Sequence, residues 1–142
     1  MIPAHKLLGI VLHDVKPGHA TLSLPFRDEL IGDPRSRRLY GGVIACLMDS
    51  AGGAAAITTL TSEKDQCSSV DIRVDYMEPG RPADVLCEAE IVRSGNSIIY
   101  TKMRAYHPDN GETIAEGRAV YRVKRMRNEQ PTDVTEIDLG LE

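Results

Sequence analysis

One long helical stretch, followed only by segments of period two, constrains this chain more than any other feature. Residues 40–60 read YGGVIACLMDSAGGAAAITTL, and no other segment keeps a helical period for so long. On a helical wheel Ile44, Leu47, Met48, Ala51 and Ala55 fall within about 100° of one another, a stripe that has to be buried. The spacing predicts a helix over residues 41–60. After it Val70, Ile72, Val74 and Tyr76 alternate with Asp71, Arg73 and Asp75, until Pro79 and Gly80 close the segment. Residues 85–93 read as a second strand. Ser94, Gly95 and Asn96 make a tight turn into residues 98–106, and Pro108 to Gly111 turn the chain into residues 113–124. Upstream, residues 12–26 read as a strand pair or one bent strand about Pro17 and Gly18, and residues 27–39 as a loop marked by Gly32, Asp33 and Pro34. The pattern predicts an α+β domain, an antiparallel sheet packed on a single buried helix.

The core of such a domain has to be built from Ala, Val, Ile, Leu and Met, because the chain holds one Phe and no Trp. Small side chains imply close approach of backbones. With 142 residues the chain has the length of one domain, placed at residues 1–127. Residues 128–142 carry five acids and no base and are expected to be a disordered acidic tail. Without them sixteen acids face seventeen bases, a near-neutral body that argues against nucleic-acid binding. Arg35, Arg37 and Arg38 form one local basic cluster, either a solvated loop or a contact for an anionic ligand. Cys46, Cys67 and Cys87 are odd in number and have no CxxC pair, so they read as small buried hydrophobes. The start MIPAHKLLGIVLHDV has no basic region ahead of an apolar run, and no stretch approaches the roughly 18 apolar residues of a membrane span. A cytoplasmic protein with no membrane partner is expected.

Asp49 lies roughly 100° from the centre of the buried stripe. One turn to either side stand Ala45, Gly52 and Gly53, residues with almost no side chain. Each glycine inside a helix costs about 1 kcal/mol relative to alanine. Two compensations are open: a strand or a second copy packs closely there, or the missing side chains leave a groove for a ligand beside the carboxylate. For Asp49 alone, an exposed or arginine-paired aspartate is the simpler reading. The helix entrance adds weight to the other. Gly41 and Gly42 open the helix, where the first N–H groups lack internal partners and carry the positive end of the dipole. Asp49 follows eight residues later, a rise of about 12 Å. Donor and carboxylate therefore meet only if a substrate spans the gap or a second subunit completes the site.

The sequence Tyr40-Gly41-Gly42 with Asp49 nine residues after Tyr40 resembles the hotdog-fold thioesterases of the phenylacetate-degradation type. These enter their central helix through His-Gly-Gly, with an Asp nine residues after the His. The stretches SSVDIRVDYMEPGRP and GETIAEGRAVYRV are similar to that family's first and last strands after the helix. The resemblance covers roughly residues 20–124 and implies a hotdog fold and hydrolysis of acyl-CoA thioesters. It implies that the Gly41 N–H polarises the thioester carbonyl, that Asp49 of the opposing subunit activates water or attacks directly, and that Ser69 orients the water. Tyr40, Gly42 and Gly53 would shape the substrate site. Tyr40 takes the place of the family's His, and Pro34 falls where the family often has Asn or Gln, with Asp33 beside it as the substitute. Coenzyme A would be part of the substrate and no cofactor is implied. The assembly implied is a homodimer, extended to a homotetramer as a dimer of dimers.

A non-catalytic acyl-CoA binding or sensing module using the same cleft is the competing reading. A hydratase on this fold is disfavoured, since those enzymes carry a catalytic His on the central helix or loop. His5, His13, His19 and His107 are dispersed with no pair at metal-ligand spacing, so no metal site is expected. Ser50 adjoins Asp49, but no Ser/His/Asp arrangement is readable from the sequence. Arg73, Arg81, Arg93 and Arg104 are candidates for the coenzyme A phosphates or for plain surface residues.

Overall fold

In the computed structural model, residues 2–126 are described. The chain opens with a short helix, α1 (Pro3–Leu8), followed by β1 (Val11–Lys16) and β2 (His19–Leu24). A 3₁₀ turn (Asp28–Leu30) leads to a two-stranded ribbon of β3 (Ile31–Asp33) and β4 (Arg38–Leu39). The long helix α2 (Gly41–Ile57) follows, then β5 (Gln66–Tyr76), β6 (Val85–Ser94), β7 (Ile98–Tyr106) and β8 (Thr113–Lys124). Six strands form one antiparallel sheet in the order β1-β2-β6-β7-β8-β5. All six contact α2, which lies in the curve of the sheet, so the expected hotdog arrangement is the one observed.

The predicted stripe is the face that α2 buries: Ile44 is 2% exposed, and Leu47, Met48, Ala51 and Ala55 are fully buried. Small residues let helix and sheet approach, and Ala20, Ala89, Ala105, Ala115 and Ala119 line the sheet side of the same core. Cys87 is buried among them and burial pushes its thiol up, but Cys67 is half-buried and Cys46 is exposed on α2. Only one of the three cysteines is thus the buried hydrophobe expected, because Cys46 falls on the outer flank of the helix.

Four local differences from the sequence reading have physical causes. Helix α2 stops at Ile57, three residues early, because the Thr58 and Thr59 hydroxyls donate to the Ala55 and Ala56 carbonyls at 2.6 and 2.8 Å. The segment expected as loop holds the β3–β4 ribbon, closed by Asp33, whose carboxylate accepts from the Arg35 N–H and the Ser36 hydroxyl. Helix α1 is six residues long, too short to show a period, and is bracketed by Pro3 and the left-handed Gly9 (φ 78°). In β5 a bulge at Val70 breaks the expected alternation: Ser69 pairs with Tyr121 and Asp71 with Val120, so Val70 is unpaired and 59% exposed. The acidic tail at residues 128–142 lies outside the described residues.

Candidate active site

The β5 bulge decides what faces α2. A strand that kept strict alternation would turn Val70 inward with Ile72 and Val74, and Ser69 outward. With one extra residue inserted, Cys67 and Ser69 line the pocket beside the helix instead. The Ser69 hydroxyl donates to Asp49 Oδ1 at 2.8 Å. From the neighbouring strand β8, Tyr121 donates through its hydroxyl to the Asp49 carbonyl at 2.7 Å and lies 3.2 Å from Oδ1. Burial, and then the adjacent Asp49 charge, push the Tyr121 phenol far up, so this hydroxyl remains a donor. Both contacts converge on Oδ1. Oδ2 has no hydrogen-bond partner among the described residues, so one carboxylate oxygen is held and the other is not.

Tyr121 was not visible as a site residue in the sequence, yet it accounts for half of the glycine pair. A Cβ on Gly52 would run into the Tyr121 hydroxyl and sit 3.0 Å from Thr101 Oγ1. A Cβ on Gly53 would meet only Tyr121 Cε1, at an ordinary 3.5 Å, and Gly53 lines the pocket. Both compensations therefore operate, one per glycine: Gly52 admits the tyrosine and Gly53 keeps the groove open. The groove, about 350 Å³, is lined by Asp49 and Ser69 and also by Ala4, His5 and Leu8 of α1.

The helix entrance is a separate depression. Tyr40 is the N-cap, with no side-chain cap bond, and the Gly41 and Gly42 N–H groups have no hydrogen-bond partner among the described residues. Two open donors at a helix N-terminus suit a developing negative charge on a carbonyl oxygen. The Tyr40 ring lies across Gly42, where a Cβ would come within 2.6 Å of Cε1. Tyr76 donates to the Gly41 carbonyl at 2.6 Å, and burial raises its phenol above the ordinary range. Gly41 lines a hollow with Arg38, Ile44 and Tyr76, whereas the groove at Asp49 does not reach Gly41. Asp33 lines neither. Its carboxyl is held below the usual range by the Ser36 hydroxyl and the Arg35 N–H within its own turn.

Most of the remaining candidates have local partners. Arg37 pairs with Asp28 at 3.0 Å, Arg73 with Asp75 at 3.2 Å and Arg81 with Asp109 at 2.7 Å, all in exposed positions. Arg104 bonds the Thr113 hydroxyl and the Gly111 carbonyl and stacks on the Tyr106 ring. His107 is fully buried, with Nδ1 2.8 Å from the Asp84 carbonyl and Nε2 accepting from the Arg81 N–H, a structural histidine. Among the described residues no group of His, Cys, Asp and Glu is arranged to hold a metal ion. His5 and Ser50, far apart in sequence, do meet: His5 Nε2 lies 2.8 Å from Ser50 Oγ. No third group orients His5, and the Asp49 carboxylate faces Ser69 instead, so the pair is not a catalytic triad.

A sheet curled round one helix, with N–H donors at its start and a carboxylate on its flank, is the hotdog arrangement. Residues 38–114 match the model of the thioesterase superfamily. The match spans more than half of the chain, which therefore belongs to the thioesterase superfamily, and the thioester hydrolase expected from the sequence is the class of enzyme that family defines. A medium/long-chain acyl-CoA thioesterase of Salmonella typhimurium is 27% identical over 134 residues, covering 86% of each chain. The human acyl-coenzyme A thioesterase 13 is 28% identical over 118 residues, 80% of this chain and 79% of that one. Among solved structures, a Shewanella oneidensis protein related to the thioesterase superfamily superposes with a TM-score of 0.79 at 29% identity, covering 87% of this chain and 88% of that one. No described helix is long and apolar enough to cross a membrane.

Proposed function

We propose that this chain hydrolyses acyl-CoA thioesters at sites shared between two copies. The observation that carries the proposal is the Asp49 carboxylate, fixed through Oδ1 by Ser69 with Oδ2 left free, in a groove otherwise largely apolar. In the reaction Oδ2 takes a proton from a water oriented by Ser69, and the water oxygen bonds to the thioester carbon. The carbonyl oxygen becomes an oxyanion that accepts from the Gly41 N–H. Collapse breaks the carbon–sulfur bond, and the proton returns to the leaving thiolate. Direct attack by Asp49, through an anhydride that water then opens, uses the same groups. A positioned base contributes about 10² to 10⁴ in rate, and one oxyanion donor about 3 kcal/mol. Coenzyme A enters as part of the substrate, and this chemistry draws on no cofactor.

The two-copy site is supported by the separation of Gly41 and Asp49 into different depressions. It is also supported by the edge strand β5, which pairs on one side only and exposes Val70 and Tyr76. A homodimer formed about this edge, and a homotetramer of two such dimers, is the assembly we propose. A hollow on the outer face of the sheet is lined by four acids and four Arg or Lys residues, among them Arg73, Glu90, Arg104 and Glu116, and is thus suited to meeting a second copy of itself. Three free thiols fit a cytoplasmic setting.

The test is thiol release from aromatic, short-chain and long-chain acyl-CoAs by the parent and by Asp49→Asn at matched folding. A fall of at least about a hundredfold supports Asp49 as the base. Retained acyl-CoA binding with no hydrolysis by the parent would leave a binding module in place of the enzyme.

A further inference from the structure

The groove at Asp49 continues away from the carboxylate between α1 and α2, and nothing in the reaction above uses that extension. Its lining includes Asp49, Gly53, Ala54 and Ile57 along α2, together with Leu8 and Ile10 from the N-terminal segment. Eight residues of helix amount to roughly 12 Å, farther than a short or an aromatic acyl group reaches from a carbonyl held at Asp49. Apart from Asp49 itself, its only ionisable lining groups are His5, Cys46, Cys67 and Tyr121, and its walls are chiefly apolar. Walls of this kind offer little to an anionic or strongly polar ligand. They suit a flexible alkyl chain, because each methylene taken from water contributes about 0.8 kcal/mol, or about fourfold in an equilibrium or rate ratio.

The outer wall of this compartment is unusually lightly held. Helix α1 has no buried residue. It is tied down by Ile10, buried at its far end, by the Arg27 guanidinium donating to the Leu7 carbonyl at 2.9 Å, and by the His5–Ser50 hydrogen bond at 2.8 Å. Among the described hydrogen bonds only the last joins α1 to α2, and it does so one residue from Asp49.

Resting on the thioesterase reading for its chemistry, we propose that α1 is the chain-length-selecting wall of the acyl site, closed over an aliphatic tail by the His5–Ser50 clasp. His5 is a positioning residue: it takes no part in the bond changes at the thioester, and it acts by holding Leu8 over the tail. Substrates are then thioesters of aliphatic acids long enough to run from Asp49 to Ile57, and acetyl or phenylacetyl thioesters fill the site poorly.

The experiment measures kcat/KM for the purified full chain over saturated acyl-CoAs from butanoyl to hexadecanoyl, with phenylacetyl-CoA alongside. For the parent the ratio of dodecanoyl to butanoyl rates is expected to be large, each added methylene raising kcat/KM about fourfold until the compartment is full. His5→Ala is expected to lower that ratio about fifteenfold, the worth of two methylenes returned to water, mainly through KM, and His5→Gln to restore most of it. Leu8→Ser, which leaves the clasp intact, is expected to lower the same ratio. Leu8 packs against the core, so a thermal melt checks that each variant remains folded. A flat length profile in the parent, or a ratio unmoved in both His5→Ala and Leu8→Ser, overturns the proposal. The base assignment fails separately, if Asp49→Asn hydrolyses every chain length as the parent does. If the parent hydrolyses nothing, calorimetry with non-hydrolysable acyl-CoA thioethers reads the same length dependence as affinity, and a flat affinity overturns it.

Discussion

Adjacent glycines in one helix should respond to alanine with opposite signs. In an ordinary helix interior Gly→Ala stabilises by about 1 kcal/mol through lower backbone entropy in the unfolded chain. At Gly53 the new methyl would meet only Tyr121 Cε1 at 3.5 Å, so that gain should appear nearly whole as a higher denaturation midpoint. At Gly52 the methyl collides with the Tyr121 hydroxyl and crowds Thr101 Oγ1 and Tyr121 Cε2, at 3.0 and 3.1 Å. Tyr121 is 2% exposed, so a shift of its ring would disturb the packing around it. Overpacking of this kind costs about 1–3 kcal/mol, and displacing the hydroxyl loses a buried hydrogen bond worth about 1 kcal/mol more. Set against the helix gain, Gly52→Ala should be destabilised by about 1–3 kcal/mol. It should also lose activity, because the same hydroxyl steadies Asp49. Urea denaturation of both variants with thiol-release kinetics is the assay. Equal stabilisation in the two variants, or a Gly52→Ala enzyme with parental kcat, would refute the role given to Tyr121.

Three further outcomes are expected. Ser69→Ala should lower kcat by about ten- to a hundredfold with little change in KM, since a hydrogen bond to a charged group is worth roughly 1.5–3 kcal/mol; steady-state kinetics on one good thioester decides it. Tyr121→Phe should lose about 1 kcal/mol of stability together with part of kcat, and an unchanged enzyme would show that Ser69 alone holds the carboxylate. Asp65 accepts from the Thr61, Met126 and Ser62 N–H groups, and chiefly the first of these holds its carboxyl below the ordinary 3.8. A depressed carboxyl stabilises the fold above its unfolded value and ceases to do so as pH falls through the folded one. Asp65→Asn should therefore melt below the parent at neutral pH, with the gap closing below about pH 3.8, as read by melts across that range.

Much of the fold was legible because two periods carry it. The stripe from Ile44 to Ala55 and the hairpins after it follow from side-chain spacing alone, and β7 and β8 begin and end where their turn residues say. Legibility failed where a single residue or a long-range contact decides the outcome. Nothing in SSVDIRV marks Val70 as a bulge, yet that one inserted residue selects Ser69 rather than Val70 to face Asp49. Tyr121 lies 72 residues from Asp49, so its hydroxyl contacts are properties of sheet order and not of any local motif. Helix α1 had its Pro and Gly brackets in plain view but too few residues for a period, and its meeting with Ser50 depends on how the chain folds back over α2. The Asp49 carboxylate and the glycine entrance were legible as candidates, because a charge on an otherwise apolar helix and two glycines at its start conflict with local preference.

If each site takes its donor from one copy and its base from the next, two crippled variants should restore one another. Gly41→Pro removes the N–H while suiting the first helical position, and the extended Tyr40 (ψ 125°) accepts a following proline. Asp49→Asn removes the base. Unfolded together and refolded, the two should recover about a quarter of parental thioesterase activity, since half of the random dimers are mixed and each mixed dimer holds one intact site. A mixture no more active than the variants measured apart would contradict the shared site.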